Sequence, residues 1–241
     1  MDIVGALVGL SVCAVVYLLC ARTIRRQSGA SVIFRQRRVG EGGQSFELFK
    51  LRTMKADAEK GLGKLQHRNE MRGPVFKIRN DPRIIPIGKW LRRYHLDELP
   101  QFWNVLTGEM SLVGARPPTP LEVERYSHRH YLRLRMKPGL TGLWQLYGNA
   151  AVNDFEEIVR LDCRYIDKWS LWLDFKILLA TIPAALFGTR LLKSFLYETQ
   201  PNDPISLTVA AVSLVVAATL AGYLPARKAS RIDPMVALRS E

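Results

Sequence analysis

Read for alternation of apolar and polar positions, the chain begins with an uncharged run, IVGALVGLSVCAVVYLLC at residues 3–20, that gives way to arginines at 22, 25, 26, 35, 37 and 38. A run of that length matches the hydrocarbon thickness of a bilayer, and a basic flank marks its cytoplasmic side. A cleaved signal peptide would need a basic start and a small-residue cleavage site, whereas this segment opens Met1-Asp2 and exits into arginines. A membrane helix over residues 1–21 is therefore predicted, re-entrant or spanning. It contains no proline, so only Gly5, Gly9 and Ser11 could kink it.

Further on the period changes. SVIFRQRRVGEGGQSFELFKLRTM alternates apolar and basic residues about Glu41-Gly42-Gly43, which predicts two strands and a turn between residues 32 and 52. Residues 55–72 are charged and apolar-poor, which predicts a surface helix or loop. RNDPRIIPIGKWLRRYHL carries turn signals at Asn80-Asp81-Pro82 and Pro86, then a short basic amphipathic helix. In RRYHLDELPQFWNVLTGEM, Asp97 is placed to cap a helix with Pro100 in its first turn, running through Phe102, Trp103, Val105 and Leu106 to Gly108. SLWLDFKILLATIPAALF reads as a helix lying in the membrane interface, because Asp174 and Lys176 interrupt its apolar face.

Charge narrows the partners. The chain of 241 residues carries a formal charge of +13, which implies an anionic partner: nucleic acid, lipid head groups or a phosphorylated metabolite. Nucleic acid ranks low, since no recognition helix, aromatic strand motif or basic repeat is present. Cys13, Cys20 and Cys163 have no metal or disulfide spacing. His128 and His130 in SHRHY read as solvated polar residues without a role.

The chemistry concentrates at Asp97-Glu98. The dyad alone is explained as well by a helix cap and a surface acid. Set among Arg92, Arg93 and Arg116, it suggests more: an ionised Asp is a competent nucleophile toward phosphorus, an acidic neighbour can hold the Mg2+ that neutralises a diphosphate, and arginines bind phosphate oxygens.

The ordered set FRQRRVG, FELFKLRTM, DPRI, IGKWLRRYHLDELPQFWNVLTGEMSLVGARP, KPGLTGLWQLYGN and YIDKWSLWLDFKILLATI closely resembles the bacterial sugar transferase family, the monotopic phosphoglycosyl transferases, over about residues 2–190. The resemblance implies an enzyme that transfers a sugar 1-phosphate from a UDP-sugar to polyprenyl phosphate, releases UMP and starts polysaccharide or glycoconjugate assembly. It implies that Asp97 is the nucleophile forming a phosphosugar-aspartyl intermediate, and that Glu98 helps bind Mg2+. It further implies that Lys50, Arg52 and Arg92 are active-site cations, and that Arg116-Pro117 belongs to the nucleotide-binding motif. That motif is Pro-Arg-Pro in the family and Ala115-Arg116-Pro117 here, which leaves the rigidity of the uridine site open.

Residues 204–241 resemble instead the end of macrolide-export or lipoprotein-release permeases. The apolar run 205–224 and its basic flank Arg227, Lys228 and Arg231 conflict with a cytoplasmic exit from the preceding domain. The expected architecture is a membrane-anchored, monotopic α+β protein: an anchor at 1–21, a cytoplasmic transferase domain at 22–190 on the inner membrane, and a permease-like tail at 191–241. The expected partners are a UDP-sugar, polyprenyl phosphate and anionic membrane lipids, with a homodimer as an open option and no nucleic acid. A non-catalytic membrane remnant or a permease-interacting fusion protein are the alternatives.

Overall fold

The computed structural model describes residues 1–61, 63–78, 80–146 and 154–187; the tail expected at 191–241 lies outside them. The apolar run forms one helix, α1 (Asp2–Ser28), which passes residue 21 without a break and ends where Gly29 adopts a left-handed φ of 71°. That conformation is cheap for glycine and lets its N–H cap the Arg25 carbonyl.

The faces of α1 are inverted relative to a helix of a water-soluble protein. Its buried positions are Ala6, Gly9, Cys13, Cys20, Ile24 and Ser28, mostly small residues three, four or seven apart and so on one stripe. The large apolar side chains Val4, Leu18 and Leu19 point away, 69%, 78% and 76% exposed. An outward face of this kind is stable only against lipid or a partner. Gly9 does not kink the helix. A Cβ there would lie 2.3–2.5 Å from the Phe102 ring, so the glycine lets α1 approach the domain closely, as small residues do between membrane helices.

The α+β body is built on the far side of that stripe. β1 (Ile33–Val39) and β2 (Ser45–Leu51) pair antiparallel, with Phe34 opposite Lys50, Gln36 opposite Leu48 and Arg38 opposite Phe46. The residues between them include Glu41–Gly43, a single tight turn. The end of α1 closes a core with this hairpin and α2 (Pro86–Arg93), where Cys20, Ile24, Val32, Leu51 and Leu91 pack together. Full burial of each large aliphatic among them is worth about 1.5–3 kcal/mol. Residues 55–61 and 63–72 form turns and a 3-10 segment, Gly63–Arg68, yet Met71 at their end is buried in a second core with Trp144, Phe155, Ile158, Val159 and Leu161.

That second core rests on α6 (Phe155–Asp167), started by the Asp154 carboxylate accepting from Glu156 N–H. Between the cores, α3 (Gln101–Leu106) leads to β3 (Ser111–Val113), which pairs parallel with β4 (Gly139–Thr141). Of the short helices, α4 (Pro120–Val123) packs on β1 and α5 (Leu143–Leu146) on α6. Gly139 is required here: a Cβ would meet the Gly114 nitrogen at 1.9 Å. A helix does form where one was expected near residue 171, α7 (Leu171–Phe187), with Leu171 and Trp172 exposed. Its Asp174 does not face water but is buried, accepting from Tyr165 Oη at 2.7 Å and Trp169 Nε1 at 3.1 Å.

Candidate active site

Four chain segments meet at one cleft: the β1–β2 hairpin, the DELP turn with the start of α3, the loop after β3, and the stretch from β4 to α5. Side chains alternate across a strand, and directly paired residues share a face. The register therefore places Gln36, Arg38, Leu48 and Lys50 on one side of the hairpin. Arg38, Leu48 and Lys50 line the cleft together with Glu98, Gln101, Arg116, Pro117 and Gln145. Its free volume is about 20 Å³, room for one or two water molecules.

The carboxylate pair does not sit as the cap motif predicts. Leu96–Glu98 is a 3-10 turn entered through His95 at a left-handed φ of 55°, and α3 starts later with Pro100 in the cap position. Asp97 is thus released from capping. It is 7% exposed and is not among the side chains lining the cleft. Burial, and then the charge of Glu98, push its carboxyl above the usual range against the opposing pull of Lys50, Arg92 and His95. Glu98 lines the cleft and accepts from Lys50 Nζ at 2.7 Å. Burial pushes it upward too, but the charge and hydrogen bond of Lys50 outweigh that and hold it below its usual range.

Of the remaining expected residues, Arg116 and Pro117 line the cleft. Arg92 has Nε on Thr53 Oγ1 at 2.8 Å and acts on Asp97 through its charge. Arg93 stacks over Tyr94 at the surface. Arg52 is turned away, its Nε on the Ser31 carbonyl at 2.7 Å and its guanidinium over Phe34. β2 ends at Leu51, so strand alternation no longer directs the next side chain.

The Arg116 loop is held along its backbone by hydrogen bonds. Four successive carbonyls of the loop each accept one: Ala115 from Gly139 N at 2.8 Å, Arg116 from Arg133 Nη2 at 3.4 Å, Pro117 from Arg38 Nη1 at 2.9 Å and Pro118 from Val39 N at 2.9 Å. Arg133 is itself fixed in a buried pair with Asp162 at 2.7 Å and donates to Tyr126 Oη at 2.6 Å. Glu122, in a capping box with Thr119, lies between Arg116 at 3.5 Å and Arg38 at 3.9 Å. Arg38, Gln101, Glu122 and Arg133 escape sequence reasoning because each acts on a partner far along the chain. Nothing local to β1 set Arg38 apart from Arg35 and Arg37: on its face of the strand the only apolar residue is Phe34. His130 is not solvated: it is buried, its Nε2 on Glu156 at 2.7 Å, while His128 is exposed.

A long helix with an outward apolar face is thus joined to a cleft lined by Arg38, Lys50 and Arg116, with the buried Asp97 next to its Glu98. The chain belongs to the bacterial sugar transferase family, whose model matches residues 1–188. It is 49% identical over 189 residues to "Galactosyl transferase CpsE" of Streptococcus agalactiae serotype III, covering 78% of this chain but only 42% of that protein. It is 39% identical over 187 residues to "Exopolysaccharide production protein ExoY" of Rhizobium meliloti, covering 76% and 82%. A third relative, "UDP-glucose:undecaprenyl-phosphate glucose-1-phosphate transferase" of Caulobacter vibrioides, is 39% identical over 194 residues, covering 77% and 68%.

Proposed function

We propose that this protein moves a sugar 1-phosphate from a UDP-sugar to polyprenyl (undecaprenyl) phosphate at the inner membrane, starting exopolysaccharide or glycoconjugate synthesis. The observation that carries this reading is the placement of a buried Asp97 beside Glu98, Lys50 and Arg92 in a body whose anchoring helix turns its large apolar face outward. The names of the relatives fit it: one acts on UDP-glucose and undecaprenyl phosphate. The arginines after the apolar run would lie on the cytoplasmic face and bind anionic head groups, at about 1 kcal/mol for each one near the surface.

In the first step an Asp97 carboxylate oxygen attacks the phosphorus next to the sugar, the bond to the UMP oxygen breaks, and UMP leaves. In the second, a phosphate oxygen of the lipid attacks the same phosphorus, and Asp97 leaves as carboxylate. Lys50, Arg92 and Arg116 balance the charge of donor and leaving group. Mg2+ is commonly held by one or two carboxylates and the substrate's phosphates. Glu98 would hold it, with Lys50 moving from the carboxylate to phosphate; the ion would neutralise the diphosphate. A non-catalytic remnant has no reason to keep an acid buried under this compensating charge.

The detergent-solubilised chain is incubated with UDP-sugars, Mg2+ and undecaprenyl phosphate, and UMP is measured. Asp97→Asn should abolish UMP release at unchanged thermal stability, because an amide does not attack phosphorus. Wild-type protein should retain label from donor carrying phosphorus-32 next to the sugar, released by hydroxylamine. Turnover by Asp97→Asn, or UMP release without any labelled protein, would sink the covalent mechanism.

A further inference from the structure

The hairpin face that brings Lys50 to the cleft also brings a second arginine. Arg38 is 6% exposed. Its Nη1 donates to the Pro117 carbonyl at 2.9 Å and its Nη2 to Gln36 Oε1 at 2.6 Å, while its Nε has no partner. Gln101, 3% exposed, lines the same cleft and its Nε2 is likewise unpartnered. Buried donors are nearly always satisfied. Two orphan donors on one cleft therefore mark a place for an acceptor that the protein does not itself supply.

The charges agree. Arg38, Lys50 and Arg116 line the cleft against one lining carboxylate, Glu98. The nearest acid to Arg38, Glu122, is 3.9 Å away, also faces Arg116, and is engaged by the Thr119 N–H at 2.6 Å. Burial, and then the charge of Arg116, lower the Arg38 guanidinium to about 9, so its charge is under-compensated in the free protein. Phosphate oxygens accept without donating and satisfy both donors. Gln145, on the same cleft, has an unpartnered acceptor, Oε1, which suits a hydroxyl or an imide N–H elsewhere on one ligand.

We infer that Arg38, together with Gln101, is the inner phosphate-binding wall of the cleft and holds the diphosphate of the nucleotide donor. The assignment rests on the donor proposed above. An arginine is needed because its fork divides the work: Nη1 fixes the Arg116-bearing loop, Nη2 is held by Gln36, and Nε remains for the ligand.

The test is equilibrium binding of UDP, UMP, uridine and inorganic pyrophosphate to the full detergent-solubilised chain, wild type against Arg38→Met and Arg38→Lys. Arg38→Met should weaken UDP and pyrophosphate about tenfold or more and leave uridine within about twofold; Arg38→Lys, keeping the charge, should fall between. Should Arg38→Met fail to fold, Arg38→Lys carries the comparison, with a loss of about threefold or more for UDP expected. UDP binding unchanged in the folded variants, or uridine falling as far as UDP, overturns the assignment; the second outcome would make Arg38 a loop clamp only. A wild type that binds pyrophosphate but neither UDP nor uridine removes the uridine donor, while the pyrophosphate arm still decides Arg38.

Discussion

Two ion pairs of the same length serve opposite ends in this molecule. Arg133 and Asp162 meet at 2.7 Å with side chains 4% and 2% exposed, and Lys50 and Glu98 meet at 2.7 Å with side chains 24% and 28% exposed. The first is surrounded: Arg133 also donates to Tyr126 and to the Arg116 carbonyl, and lies over the Phe155 ring. The second borders the cleft and joins a flexible ammonium to a carboxylate that an incoming cation or phosphate can part. Separation alone does not tell a structural pair from an exchangeable one; burial and the remaining partners do.

The comparison breaks first at Asp162. Asp162→Ala leaves Arg133 buried and uncompensated and should cost about 3–5 kcal/mol in denaturant unfolding, with the Arg116 loop loosened as a result. Replacing both partners by leucine should recover most of that loss. A single variant as stable as wild type would show that the pair does not hold the fold.

At the other pair the readout moves from stability to rate. Glu98→Gln should lower turnover about a hundredfold with normal folding, the order expected for loss of a charged group that holds a catalytic ion, and should blunt the response to Mg2+. It should also shift the pH profile. In the proposed mechanism Asp97 attacks only as carboxylate, so activity should be lost as pH falls through its pKa, which burial and Glu98 hold above the ordinary value of about 3.9. Removing the Glu98 charge moves that acid limb to lower pH. An unshifted limb would mean that the two carboxylates do not interact.

Lys50→Met should raise the KM for the UDP-sugar about tenfold, roughly the worth of one charge-assisted contact, and change stability by less than about 1 kcal/mol. A loss comparable to that of Asp162→Ala would place Lys50 with the structural pair. Smallest of all is Arg52→Ala. Because the guanidinium rests on Ser31 and Phe34, UMP release should stay within about twofold; a tenfold fall would show that Arg52 swings into the cleft during the reaction.

Much of this was legible along the chain. The long apolar N-terminal helix, the hairpin near residues 32–52, the basic helix that became α2 and a helix through Phe102, Trp103, Val105 and Leu106 each follow from local patterning, where side-chain period and turn residues suffice. The family was legible because linked motifs occur in order along residues 1–188, and those motifs pointed to the segments whose Lys50, Glu98 and Arg116 line one cleft. What remained hidden depends on contacts between distant residues. Asp97 looked like a cap because Asp before Leu and Pro caps many helices, but the turn at His95 moves the helix start to Pro100 and buries the carboxylate.

Neighbouring arginines illustrate the division. By itself the chain sets a basic strand next to a glycine turn, and Arg37 and Arg38 are chemically the same. The pairing register sends Arg38 to the cleft and leaves Arg37 exposed, and a slip of one residue would exchange them. Likewise, the apolar run of α1 dictated a membrane helix, but only its packing decided that the small residues face the domain and the large ones face outward. Composition and period act on neighbours in sequence; the orphan donors of the cleft and the four held carbonyls of the Arg116 loop come from segments tens of residues apart, joined only when the chain folds.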